Sequence, residues 1–458
     1  MNAARLRRRP MNARRPLALP LLAHPSLAAP LAWRADGVVT VARFLADAER
    51  VAALMPPGGH VLNVCADRYR FTVGLVASLL AGKVSLLPST HTPETVRQLA
   101  AFAPDAFCLT DTLPCDIALP QMAWPQLAPA EFTGAMPALP ADRLVAWVFT
   151  SGSTGTPLPH RKTWGALVRN VRAEAERLGL LETPHTLVGT VPPQHMYGFE
   201  STVLMALQSG GALWGGRPFY PADIVAAIAA VAQPRVLVST PFHLRALLAA
   251  ELALPPLDLV VSATAPLSGN LAVELESRLG CPLMEIYGCT ETGQTATRRT
   301  ARTAEWQLFP GVRLTMKDNV AWADGGHVEA PTALSDVIEP TAEDRFLLHG
   351  RCADLVNIAG KRTSLGYLNH QLNAIPGVVD GSFFPPDDDP HGIARLTAVV
   401  VAPGLDQAGL LAALRERIDP VFLPRPLLFA DALPRNATGK LPRAALAALR
   451  DKLGGAAP

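Results

Sequence analysis

The apolar run 144–149 leads directly into Thr150-Ser151-Gly152-Ser153-Thr154-Gly155-Thr156-Pro157, and this junction limits the possible folds more than any other feature of the chain. A short apolar run that stops at a cluster of Ser, Thr, Gly and Pro reads as a buried strand opening into a loop. Small residues there let backbone N–H groups close on an anion, and the hydroxyls of Thr150, Ser151, Ser153 and Thr154 add donors. The Gly-Lys-Ser/Thr ending of a Walker loop is absent. The reading is a phosphate-handling loop, with ATP as the ligand it suggests. An ordinary flexible turn has the same composition, so the rest of the chain has to decide between them.

From about residue 60 onward, apolar runs alternate with amphipathic stretches. Strands are expected at 61–65, 84–87, 187–191, 236–239 and 257–262, and helices at 71–80, 241–250 and 271–279. Trp164, Leu167, Val168, Val171, Ala175 and Leu178 recur at three and four residues, which predicts a helix beyond the loop. Strand alternating with helix implies parallel sheets covered by helices. Ligands of such sheets sit beyond the carboxyl ends of the strands, where the 150–157 loop and the 285–292 turn both fall. The composition shifts after Gly350, and the remainder carries its own small set: strands at 397–401 and 427–430, helices at 407–418 and 443–453. The expected fold is α/β, with a large N-terminal domain of helix-covered sheets (1–350) and a small mobile C-terminal α+β domain (354–458).

A chain of 458 residues that is 49% apolar can fill more than one core. A net charge of +2 and a charged fraction of 17% argue against a nucleic-acid surface. Six cysteines without any C-x-x-C spacing argue against zinc and against a disulfide framework, so a reducing, cytoplasmic setting is expected. Arg5, Arg7, Arg8, Arg9, Arg14 and Arg15 precede Leu17-Ala-Leu-Pro-Leu-Leu22 in superficial imitation of a secretory signal, but Pro20, His24 and Pro25 interrupt the apolar part. No run of about 18 apolar residues occurs, so no membrane span is expected.

Three further motifs follow the loop. In Tyr287-Gly-Cys-Thr-Glu291-Thr, a tyrosine closing an apolar strand can stack on a purine, while Thr290 and Glu291 can meet a phosphate and its magnesium ion. The plain alternative is a strand-ending turn with a solvated glutamate. Next comes Gly350-Arg351-Cys-Ala-Asp354-Leu-Val-Asn-Ile-Ala-Gly360-Lys-Arg, then Pro434-Arg-Asn-Ala-Thr-Gly439-Lys440-Leu-Pro-Arg443. A lysine held by a Thr-Gly turn between two arginines can enter a polar cleft as a point charge, although a lone lysine after glycine is usually just exposed.

With these four motifs in this order, the chain resembles the adenylate-forming superfamily over roughly residues 60–450. That superfamily includes acyl- and aryl-CoA synthetases, amino-acid adenylation domains and firefly luciferase. The resemblance implies a small C-terminal domain that rotates between two half-reactions. It implies that Thr150, Ser151, Gly152, Ser153, Thr154 and Gly155 hold the β- and γ-phosphates of ATP, and that Ala263, Thr264 and Ala265 line the adenine on which Tyr287 stacks. Thr290 would then contact the α-phosphate and Glu291 the Mg2+ ion, with Asp336 and Arg351 on the ribose. Lys440 would bridge the substrate carboxylate and the α-phosphate, and His195 would stand beside the acyl pocket.

The chain departs from the family pattern at two places. Leu158 stands where the loop normally carries a lysine, and one of His160, Arg161 and Lys162 is expected to restore the phosphate contact. Ala353 stands where the hinge commonly has Asp or Lys. An aminoacyl substrate would need a buried carboxylate for its amine; 194–199 offers none, although Glu200 is close, so an uncharged acyl or aryl acid is expected. The segments 65–71 and 156–164 are similar to those of compact ligases from aryl-polyene and xanthomonadin pigment clusters. That similarity implies a hydroxybenzoate-type acid delivered to the pantetheine thiol of an acyl carrier protein, with CoA as the alternative acceptor. A fatty or 3-hydroxyacyl substrate is the rival reading, and a non-catalytic nucleotide-binding partner protein is a reading of a different class. The stretch Asp67-Arg-Tyr-Arg-Phe-Thr is assigned to packing.

Overall fold

The computed structural model describes residues 17–454 except 89, 152–156, 182, 319, 352–354, 359–360, 385–395 and 437–440. Two large sheets share the main core. The first has six strands in the order Pro157–Thr163, Leu144–Ser151, Val84–Leu87, His60–Asn63, Phe107–Thr110 and Gln121–Ala123. All pairings are parallel except the first, where Pro157–Thr163 runs antiparallel to Leu144–Ser151. Hydropathy does not mark this strand. Its two prolines and its polar run hide it, and both are tolerated because it lies at the sheet edge.

The second sheet has eleven strands and is parallel at its centre: Ala212–Trp214, Thr186–Gly189, Arg235–Ser239, Leu259–Ser262 and Leu283–Cys289 are neighbours in that order. Beyond Leu283–Cys289 it turns antiparallel through Gly293–Arg298, Trp306–Leu308, Arg345–Arg351 and Asp336–Ala342. The expected helices form, among them Arg68–Leu80, Trp164–Leu178, Pro241–Ala249 and Gly269–Leu279. Trp164–Leu178 starts at Thr163, whose hydroxyl accepts from Ala166 N, and stops at Gly179, which takes the left-handed φ of 70° that a C-terminal glycine permits. Leu21 and Leu22, from the segment that imitates a signal, are buried in the main core.

The C-terminal region builds its own layer. Asp380–Phe384, Thr397–Val401 and Leu427–Phe429 form a three-stranded sheet against Leu365–Asn373 and Gln407–Arg415, with Phe383, Val400, Leu368, Leu372, Leu410 and Leu414 in a separate core. The architecture is therefore α/β, a large sheet-rich part followed by a smaller α+β one. Asp380 is buried among arginines: Arg435 of the same region donates to it through Nε and Nη2 at 2.7 Å each, and Arg245 from the large part approaches to 3.9 Å. Among the described residues, no helix is long and apolar enough to cross a membrane.

Candidate functional site

Strand Leu144–Ser151 and edge strand Pro157–Thr163 pair antiparallel, and residues 152–156, which carry Gly152, Ser153, Thr154 and Gly155, lie outside the described residues. The pairing Thr150↔Leu158 fixes the register, so Leu158, more than half exposed, stands directly across from Thr150. The following residues alternate as a strand must. His160 and Lys162 face the Thr290–Glu291 turn, and Arg161 and Thr163 face Glu329. His160 Nε2 is 2.9 Å from Thr150 Oγ1 and 3.9 Å from Glu291 Oε1. Lys162 Nζ donates to the carbonyl of Thr290 and, at 3.4 Å, to that of Glu291. On the other face, Thr163 Oγ1 donates to Glu329 at 2.6 Å and Arg161 lies 3.6 Å from it.

Of the three residues considered as stand-ins for the loop lysine, His160 is thus the one placed on Thr150 itself. Lys162 is only 6% exposed and reaches the turn from behind. Burial lowers the His160 pKa, opposed by the Glu291 charge. Burial likewise lowers that of Lys162, opposed first by Glu200 and then by Cys289 and Glu291.

The turn itself caps strand Leu283–Cys289, which carries Tyr287. The Tyr287 ring packs against Trp306 and Phe346, with centroids 5.6 Å away in both cases, and its hydroxyl donates to Asp336 Oδ2 at 2.7 Å. Asp336 is paired in register with Arg351, so these three residues are neighbours, although the Arg351 side chain lies outside what is described. Glu285, two residues before Tyr287 on the same strand, is held by Leu267 N at 3.0 Å, Thr300 Oγ1 at 2.7 Å and Arg298 Nε at 2.8 Å. Ala263, Thr264 and Ala265 leave the carboxyl end of the adjacent strand Leu259–Ser262. There Thr264, a β-branched residue, is held at a φ of 78°, an unfavourable backbone of the kind concentrated at binding sites.

His195 caps the short helix Met196–Gly198, its Nδ1 accepting from Tyr197 N at 3.3 Å, and the chain continues as the π-helix Phe199–Leu204. The stretch assigned to packing supports this segment. Arg68 is fully buried and donates to the carbonyls of Gly189 at 2.7 Å and Val191 at 2.8 Å and to Thr202 Oγ1, fixing both ends of the His195 segment. Lys440 and Asp354 lie outside the described residues.

Behind the turn lies a polar layer that the motifs gave no hint of. Gly293, at φ +79°, has no room for a side chain: a Cβ there would sit 2.2 Å from Asn170 Nδ2 and 3.1 Å from Glu200 Oε1. Gln294 Nε2 donates to Ser201 Oγ at 2.7 Å. Glu174 and Glu200 are both buried, and burial pushes each carboxyl up to about 8, the Lys162 charge opposing it at Glu200. Burial also pushes His327 down to about 4, with Lys162 adding to the effect. Asn170, Glu174, Glu200 and Ser201 sit on helices, Gly293 and Gln294 on a strand and His327 in a turn, so only the meeting of several elements reveals them.

Thr150, the 263–265 segment and the Thr290–Glu291 turn therefore lie at the carboxyl ends of strands of the two sheets, and Asp336, at the start of the edge strand, joins them through its bond to Tyr287. A sequence profile of the AMP-binding enzymes matches residues 28–320. The chain belongs to the AMP-binding enzyme family. It is accordingly an AMP-forming acid–thiol ligase of the adenylate-forming superfamily. Among its relatives, a 4-coumarate–CoA ligase of Rhodobacter capsulatus is 33% identical over 296 residues, 64% of this chain and 73% of that one. A 3-hydroxybenzoate–CoA/4-hydroxybenzoate–CoA ligase of Thauera aromatica is 25% identical over 66% of this chain and 65% of its own. The fold is shared with ATP-bound MatB from Rhodopseudomonas palustris, with a TM-score of 0.79 and 21% identity over 93% of this chain and 96% of that one.

Proposed function

We propose that this ligase activates an aryl carboxylic acid, of hydroxybenzoate type, as an acyl-adenylate and transfers it to a pantetheine thiol, that of an acyl carrier protein or CoA. The observation that carries this reading is the chain of contacts Thr150–His160–Glu291. It brings Thr150, where the proposed phosphate loop begins, to the Thr290–Glu291 turn, beside the Tyr287–Asp336 bond. A carboxylate attacking ATP is repelled by the polyphosphate, so positive charge has to stand between them. Lys440 supplies it from the C-terminal part, and Thr290 donates to the α-phosphate. Tyr287 presents its ring to the adenine, and Asp336 and Arg351 take the ribose hydroxyls. Glu291, with a side chain 41% exposed, suits a magnesium ion held mostly by substrate phosphates and a single protein carboxylate. Bound there, the ion would add Lewis-acid stabilisation of the phosphoryl charge. Rotation of residues 354–458 about the 352–354 connection would then withdraw Lys440 and admit the thiol.

An aryl substrate is supported by the acids named for the relatives and by the surroundings of Glu200. That carboxyl is packed against Gly293 and within the field of Lys162, which leaves it poorly placed to pair with a substrate amine. The test is acid-dependent pyrophosphate exchange over hydroxybenzoates, cinnamates, fatty and 3-hydroxy fatty acids and amino acids, followed by thioester formation on CoA and on holo carrier protein. Exchange is expected with hydroxybenzoates. Preference for a fatty acid would replace the aryl reading, and silence with every acid would refute the activity.

A further inference from the structure

We propose that Lys162 is a positioning residue for the nucleotide: from behind the Thr290–Glu291 turn, its buried ammonium fixes the two carbonyls so that the Thr290 hydroxyl and the Glu291 carboxylate face the cleft. The proposal rests on the nucleotide reading given above and goes beyond it, because it moves this lysine from the phosphates to the backbone that receives them. Three observations carry it. Lys162 Nζ donates to Thr290 O and Glu291 O, so its donors point at the turn. The side chain is nearly inaccessible, which makes contact with a bound polyphosphate indirect. Gly293 closes the same turn against Asn170 and Glu200, and Glu200 Oε1 has no hydrogen-bond partner among the described residues, so the turn is clamped between the lysine and a buried carboxyl.

A turn ended by glycine at positive φ has few side chains of its own to hold it. Without the lysine, its two carbonyls lose a charged donor on the part-buried side of the turn. Strand alternation explains why one edge strand can do this. His160 links Glu291 to Thr150, and two residues on Lys162 secures the backbone of the same turn, so Thr150 and the turn keep a fixed spacing.

The test compares direct contact with positioning. A lysine that touched the β- and γ-phosphates would matter for ATP and not for AMP, whereas one that sets Thr290 would matter for both. Binding of AMP and of magnesium-ATP to the full chain is measured by calorimetry. Thioester formation from a supplied acyl-adenylate gives KM and kcat separately. Lys162→Met is expected to weaken AMP and ATP in parallel by about tenfold or more and to raise KM for the adenylate similarly, while kcat at saturation stays within about twofold. Lys162→Arg is expected to recover most of the loss. Weaker ATP with unchanged AMP would show a direct phosphate contact and overturn the proposal. Lower kcat with unchanged KM would show a merely structural lysine and overturn it as well. Should Lys162→Met not fold, Lys162→Gln, which keeps a neutral donor, is judged by the same criteria with a parallel loss of about threefold or more. A wild-type chain that binds neither nucleotide would sink the activity reading itself, whereas wild-type binding with unchanged variants would sink this inference alone.

Discussion

Removing the Asp336 carboxylate should erase the ligase's ability to tell a ribose from a sugar without hydroxyls. Asp336 Oδ2 accepts from the Tyr287 hydroxyl at 2.7 Å, which aims the carboxylate. One hydrogen bond from a sugar hydroxyl to a charged acceptor contributes about 1.5–3 kcal/mol, a factor of about 12 to 160 in affinity. The wild type should therefore prefer ATP to 2′,3′-dideoxy-ATP in kcat/KM for pyrophosphate exchange by at least about 12-fold. In Asp336→Ala, ATP should fall towards the dideoxy value until the two agree within about threefold. Tyr287→Phe removes the bond that aims the carboxylate but keeps the charge, so its preference should lie between. Asp336 is only partly buried, and water can take its place at the Tyr287 hydroxyl, so stability should change by about 1 kcal/mol or less. A preference preserved in full by Asp336→Ala would refute the ribose assignment.

Lys440→Ala should lower adenylate formation by about two powers of ten, the effect of roughly 3 kcal/mol of transition-state stabilisation, and leave thioester formation from a supplied adenylate intact; pyrophosphate exchange and thioester assays check this side by side. Glu285→Ala removes a buried carboxylate held by Arg298, Thr300 and the backbone of Leu267, and should cost about 3–5 kcal/mol in urea unfolding. Glu174→Gln tests the buried carboxyl. A group raised to about 8 in the folded chain keeps its proton on folding and loses it on unfolding, so its stabilisation is complete below the ordinary carboxylate pKa and is lost as pH rises through the folded value. The variant should match wild type near pH 4.5 and gain on it by about 1.4 kcal/mol per pH unit up to pH 8, measured as the difference between paired denaturation curves.

Much of the frame was readable before any coordinates. Helix Trp164–Leu178 falls where apolar spacing put it because a single buried face sets the period, and strand Thr397–Val401 falls where a short apolar run put it because it is buried throughout. Strand Pro157–Thr163 was not readable. Its alternation is polar on both faces, His160 and Lys162 against Arg161 and Thr163, and hydropathy cannot see a strand whose two sides bind charges. The same limit hid Arg68: a guanidinium among apolar helix residues looks like a solvated side chain until the carbonyls of Gly189 and Val191 are brought to it from more than a hundred residues away. Short motifs can name residues that touch a ligand, since they lie together on one loop or turn. Residues that hold those loops come from elsewhere in the chain.

If the C-terminal region swings as proposed, Asp380 sets how freely it can leave its present seat. The proposed swing would part Asp380 from Arg245, across 3.9 Å, yet the two short bonds from Arg435 would travel with the carboxylate. The acid never goes unaccompanied, and Arg245 is released to water, which solvates a guanidinium well. Such a catch would open at little energetic expense and could re-engage after every swing.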